Sequence, residues 1–194
     1  MGTSPQLLLA VVAALSALHM LAPDHWIPVT VTAHRNRFTK FRTYLLSSAI
    51  GLAHGVSSAA LSLVIAQIGS IFFPAYYVNL FAVLLLVAIA LYIAVNAARK
   101  AKAGKKVESV SVLVSVIPDP ALVPFILIAQ GFGVAYTFAM MGAFVIAAVV
   151  SVTIVVFLAT MGLSRVLSRM KTQYVDYAVA LALILVAAFV YFYG

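Results

Sequence analysis

The stretch His19-Met20-Leu21-Ala22-Pro23-Asp24-His25-Trp26-Ile27-Pro28 decides how the rest of the chain is read. It holds two of the four histidines, one of the four acidic residues, the single tryptophan and two of the seven prolines. It closes an apolar run that begins near Pro5. An ionisable Asp near the centre of a membrane helix costs about 2.5–3.5 kcal/mol on insertion scales. A cluster of such groups at membrane depth therefore points to something bound or moved.

The surrounding composition supports membrane depth. The chain has 194 residues, 65% of them hydrophobic and 8% charged, with a mean hydropathy of +1.18. Soluble domains carry about 25% charged residues. The chain is expected to lie almost wholly in the lipid bilayer as one transmembrane domain, with no separate soluble domain. It has no cysteine, which excludes disulfides, thiol redox chemistry and thiolate metal ligands. The first apolar run has no basic region before it and no small-residue cleavage site after it. A retained span is expected rather than a signal peptide.

About 20 helical residues cover the 30 Å of a bilayer core. On that criterion six spans are expected: about Pro5–Pro28, Thr43–Gly69, Tyr77–Ala98, Ser109–Gln130, Gly133–Leu163 and Tyr174–Tyr193. The twelve Lys and Arg sort cleanly between them. They fall in segments 34–42, 99–108 and 165–171, between alternate spans. The loops around Phe73-Pro74 and Gly131-Phe132-Gly133 have none. The positive-inside rule then puts the three basic loops in the cytoplasm and both termini outside. The net charge of +8 is thereby explained by orientation and anionic lipid head groups, not by nucleic acid.

Pro23-Asp24 followed by Pro28 has a counterpart in Pro118-Asp119-Pro120, itself followed by Pro124. Each opens a set of three spans. Repeat one is expected over 5–98, a basic linker over 99–108 and repeat two over 109–193. Three spans is an odd number, so the repeats are inverted. Paired broken helices in such repeats point to a transport site near the midplane. The alternative is that the prolines only kink their helices.

On an ideal helix Asp24 lies about 140° and His25 about 240° round from His19. Pro23 removes a backbone hydrogen bond and clashes one turn back. An opened turn there lets His19, Asp24 and His25 converge. Imidazole nitrogen suits nickel, cobalt, zinc and copper, and a carboxylate compensates charge. The alternative is a structural pair in which Asp24 accepts from His25. On the second span Ser47, Gly51, His54, Ser58 and Ser62 form one helical stripe. Gly51 and Gly55 permit close approach of a neighbouring helix. A packing seam would explain the small residues but not His54. The expected metal ligands are His19, Asp24, His25 and His54, with the kinked first span facing the second.

Secondary candidates for a pathway or coupling are Asp119, Ser58 and Met140. For Asp119 the alternative is a charge partner between helices; for Met140 it is core packing. His34 is expected at the surface and Asp176 at the membrane interface. No Gly-rich phosphate loop or hydrolase motif is present. An ion-coupled or passive carrier fits better than an ATP-driven one.

His19-x4-Asp24-His25 resembles the H-x4-D-H signature of the nickel/cobalt transporter family (NiCoT, with the related NicO and UreH-like proteins). Gly51-Leu52-Ala53-His54-Gly55-Val56-Ser57-Ser58 resembles that family's second motif. The six-span plan is similar to that of the lysine-exporter superfamily. The resemblance implies transport of Ni²⁺ or Co²⁺ as substrate, not as a resident cofactor, handled by His19, Asp24, His25 and His54. Ala22 stands where the importers have a further Asp, and Thr30-Val31 where they have Asp-Asn. The importers also have eight spans. These departures bring the chain nearer the efflux-type and UreH-like branches. Two other functions fit the same residues: a carrier of another small solute, such as an oxyanion or amino acid, and an intramembrane metal-dependent enzyme. The scarcity of acids argues against the enzyme. The small size is compatible with a homo-oligomer.

Overall fold

The computed structural model describes residues 4–72, 75–103, 116, 118–163 and 172–193. Their regular structure is entirely helical: α1 (Pro5–Met20), α2 (Pro23–Arg35), α3 (Lys40–Phe72), α4 (Ala75–Ala103), a 3₁₀ turn (Pro120–Leu122), α5 (Val123–Gln130), α6 (Val134–Leu158) running into a π turn (Ala159–Leu163), and α7 (Thr172–Tyr193). Among the described residues, four helices are long and apolar enough to cross a membrane. They cover Lys40–Gly69, Leu80–Arg99, Val134–Gly162 and Gln173–Phe192. A fifth arises if α1 and α2 count together across their 51° bend. These are the helices of an all-α multi-pass membrane protein. Bulky apolar side chains such as Phe41, Leu84 and Ile146 point outward, where lipid would meet them.

Several boundaries differ from those expected. Segment 34–42 is mostly helix. His34 and Arg35 complete α2, and Lys40 and Arg42 begin α3. The turn between them holds because Arg37 takes φ 51° and Phe38 N–H donates to Ala33 O at 2.9 Å. The Thr39 hydroxyl then caps α3 by accepting from Arg42 N–H at 3.4 Å. Likewise Arg99–Ala103 continue α4 rather than forming a loop. The fourth expected span is described only at Val116 and from Pro118 onward. Residues 104–115, Ile117, the Phe73-Pro74 loop and the basic segment 165–171 lie outside the described residues.

Two long pairings organise the bundle, α3 with α6 and α4 with α7. The first is antiparallel: Ser48 meets Thr153 at 3.1 Å and Tyr44 meets Thr160 at 3.2 Å, hydroxyl to hydroxyl. A Cβ on Gly51 would fall 2.8 Å from Val152 Cγ1 and 2.9 Å from Val149 Cα. The close approach read from Gly51 and Gly55 is thus to α6, not to the kinked first helix. Helix α1 runs parallel to α6. Tyr136 donates to Pro5 O at one end, and Ser16 donates to Phe144 O at 2.9 Å further along.

The α1/α2 segment packs on α3, α6 and α7, while the 3₁₀ turn and α5 pack on α6, α3 and α4. Exchanging the first three segments for the last three maps this set of pairings onto itself. Met140 lies fully buried in the main apolar core, and Asp176, expected at the interface, is buried near the start of α7.

Candidate metal centre

Pro23 creates the site by ending α1. It has no N–H to offer the His19 carbonyl. Ala22 N–H donates to His19 O instead, at 3.0 Å, and Leu21 N–H to Leu18 O at 3.2 Å. Helix α2 restarts with Pro23 in its first turn, a position that tolerates proline. The Trp26 indole N–H donates to Leu21 O at 3.2 Å, satisfying a carbonyl at the break.

The consequence falls on the histidines. His19 and His25 would diverge on a straight helix, yet across the break their Nε2 atoms stand 3.1 Å apart. One ring must carry the Nε2 proton and the other must not. His54 comes in from the middle of α3. The ring centroids form a near-equilateral triangle: 4.6 Å for His19–His25, 5.5 Å for His19–His54 and 5.2 Å for His25–His54. The Phe144 ring stacks behind His54 at 6.5 Å. His25 is 6% exposed and His54 1%.

Asp119 meets this triangle from the second half of the chain. Its Oδ2 lies 3.8 Å from His19 Nε2, and its Oδ1 accepts from Ala121 N–H at 2.9 Å, capping the 3₁₀ turn. Ser58 Oγ accepts from Asp119 N–H at 2.8 Å and lies 2.8 Å from His54 O, to which it can donate. The neighbouring Ser57 Oγ lies 3.1 Å from Val116 O. A small void of about 10 Å³, lined by Val12, Leu15, Phe125 and Phe144 among others, abuts Asp119. Asp24, half-buried, occupies the first turn of α2, where the helix dipole favours its charge. Ser62 Oγ, further along the stripe, is buried with no hydrogen-bond partner among the described residues.

A cation about 2.0–2.1 Å from each nitrogen would see the His19 and His25 Nε2 atoms at an angle of roughly 100°. Three imidazoles around one ion would place their ring centroids about 4.5–5.3 Å apart on the same bond lengths. The triangle is close to that spacing. Among the described residues no group of three or more His, Asp or Glu forms a closed metal-holding set as it stands.

No protein-family profile, curated protein or solved structure matches this chain.

Of the residues singled out from sequence, His19, His25, His54, Asp119 and Ser58 meet at one place, and Met140 belongs to the core. Ser57, Trp26 and Phe144 are additions from the structure. Ser57 lies inside the motif that holds His54. Trp26 sits in the opening stretch. Phe144 carries no sequence signal, being one of twelve phenylalanines.

Proposed function

We propose that this chain is a secondary transporter that moves a divalent transition-metal cation, Ni²⁺ or Co²⁺, across the cell membrane. His19, His25 and His54 bind the cation through neutral imidazole nitrogens, with Asp24 as a compensating carboxylate. The observation that carries this reading is the triangle of three imidazoles at 4.6–5.5 Å, built at a helix break inside an apolar bundle. Apolar packing alone gives no reason to gather three imidazoles at one point.

The transporter reading takes six spans, with the described part of the fourth at Pro118–Gln130, both termini outside and the basic segments in the cytoplasm. The parallel run of α1 and α6 and the antiparallel run of α3 and α6 support it, because first and fifth spans share a sense and second and fifth do not. The exchange symmetry of the helix pairings supports two inverted repeats, with Asp24 and Asp119 at corresponding breaks.

Thermal unfolding of the purified protein tests the reading. Ni²⁺ or Co²⁺ should raise the melting temperature, and a chelator should reverse the rise. Stabilisation by an organic solute or oxyanion, with no response to Ni²⁺, Co²⁺ or Zn²⁺, would overturn it.

A further inference from the structure

We propose that Asp119 is a direct ligand of the same cation, the one contributed by the second half of the chain, and that Ser57 and Ser58 are the positioning residues that hold it there. This deepens the metal-transport reading and rests on it.

The first argument is geometric. Asp119 is 7% exposed, a carboxylate deep in an apolar bundle. One oxygen is committed to Ala121 N–H, which leaves Oδ2 nearest the histidines at 3.8 Å from His19 Nε2. A cation bonded to both atoms at about 2.0–2.2 Å would hold them about 3–3.5 Å apart. Binding therefore draws Oδ2 inward by less than about 1 Å.

The second argument counts hydroxyl protons. Each serine has one to give. His54 O lies within reach of both, 2.8 Å from Ser58 Oγ and 3.0 Å from Ser57 Oγ. The shorter contact satisfies His54 O with the Ser58 proton. Ser58 Oγ is then free to accept from Asp119 N–H, and the Ser57 proton goes to Val116 O. Two consecutive residues of α3 thus hold Val116 and Asp119. The Ser58 hydroxyl ties Asp119 to the turn of α3 that carries His54, so carboxylate and imidazole keep their spacing.

The third argument is charge. A divalent cation among neutral imidazoles remains doubly positive, and an uncompensated charge is costly in a bilayer interior. The chain has only four acidic residues. Asp119, which stands beside His19, supplies a negative charge where such a complex needs one.

The experiment is titration of Co²⁺ into the purified full chain in detergent, read as affinity and as visible absorption of the bound ion. The unfolding temperature without metal serves as the fold control. Asp119→Asn should weaken Co²⁺ binding by at least about 100-fold and alter the absorption bands. Ser58→Ala should weaken it by about tenfold, in line with the effect of removing a group that orients a ligand. Ser58→Thr, which restores the hydroxyl, should recover the loss. Unchanged affinity and spectrum in Asp119→Asn, with the wild type binding Co²⁺, overturns the proposal and leaves the transport reading standing. Failure of the wild type to bind Co²⁺ overturns both. If Asp119→Asn does not fold, Asp119→Glu carries the test: altered bands support direct ligation, and unaltered bands overturn it.

Discussion

His19 Nε2 and His25 Nε2 face each other at 3.1 Å although six residues and a helix break separate them. That contact exists because Pro23 interrupts α1. Restoring the donor should undo it. Pro23→Ala lets an unbroken helix form, which carries His19 and His25 about 240° apart around the axis. The variant should fold, since helix propensity improves, and should lose the melting-temperature rise given by Co²⁺. Retained metal stabilisation would mean that the break does not assemble the site.

His54 should matter as much as the pair at the break. At a cation concentration about 100 times the dissociation constant, binding contributes about 2.7 kcal/mol of stability. His54→Gln keeps a polar side chain in a buried position and should abolish most of that increment, with a smaller effect on the metal-free protein. The check is differential scanning calorimetry with and without Ni²⁺.

Trp26→Phe preserves the ring and removes the indole N–H that serves Leu21 O. A part-buried hydrogen bond of this kind contributes about 0.5–1.5 kcal/mol. The metal-free protein should lose about that much stability in thermal or chemical unfolding, and metal affinity should fall with it as the break loosens.

The α3–α6 seam gives a prediction independent of metal. At Gly51 a methyl group would press on the backbone of Val149, which cannot rotate away. Gly51→Ala should destabilise by about 1–3 kcal/mol, the usual range for overpacking. At Gly142, also on α6, nothing lies within 4 Å of an added Cβ. Gly142→Ala should be neutral or stabilising by up to about 1 kcal/mol, because alanine is the better helix former. Unfolding measurements on the two variants side by side decide it.

Acidity should oppose binding. Imidazole must be neutral to coordinate a metal, so protons compete for the site. With three imidazoles the affinity should rise with pH. Isothermal titration across a pH series reads the slope. A flat profile would argue against imidazole ligation.

Much of this site was legible in sequence. The three- and four-residue spacing of Ser47, Gly51, His54, Ser58 and Ser62 defines one face of a helix, and the structure buries that face. Pro23 beside Asp24 signals a break, and a break is what lets His19 reach His25. The Pro-Asp-Pro echo at 118–120 marked Asp119. What spacing could not supply was partnership across distance. Small residues at 51 and 55 promise a close neighbour but do not say which, and it proved to be α6. Asp119 meets His19 through contacts a hundred residues apart, and no periodicity reports them. The basic segments misled at their edges because Arg, Lys and His suit the last turn of a helix, so α2 and α4 extend into stretches that charge alone assigns to loops, and the Thr39 cap lets α3 begin at Lys40.

The most direct measurement is flux of labelled Co²⁺ and Ni²⁺ into proteoliposomes carrying wild-type protein or His25→Ala, each with and without a pH gradient. The account predicts protein-dependent, saturable entry by the wild type and background entry by the variant at equal reconstitution. Wild-type entry no faster than in protein-free liposomes, or equal entry by the two proteins, would contradict it.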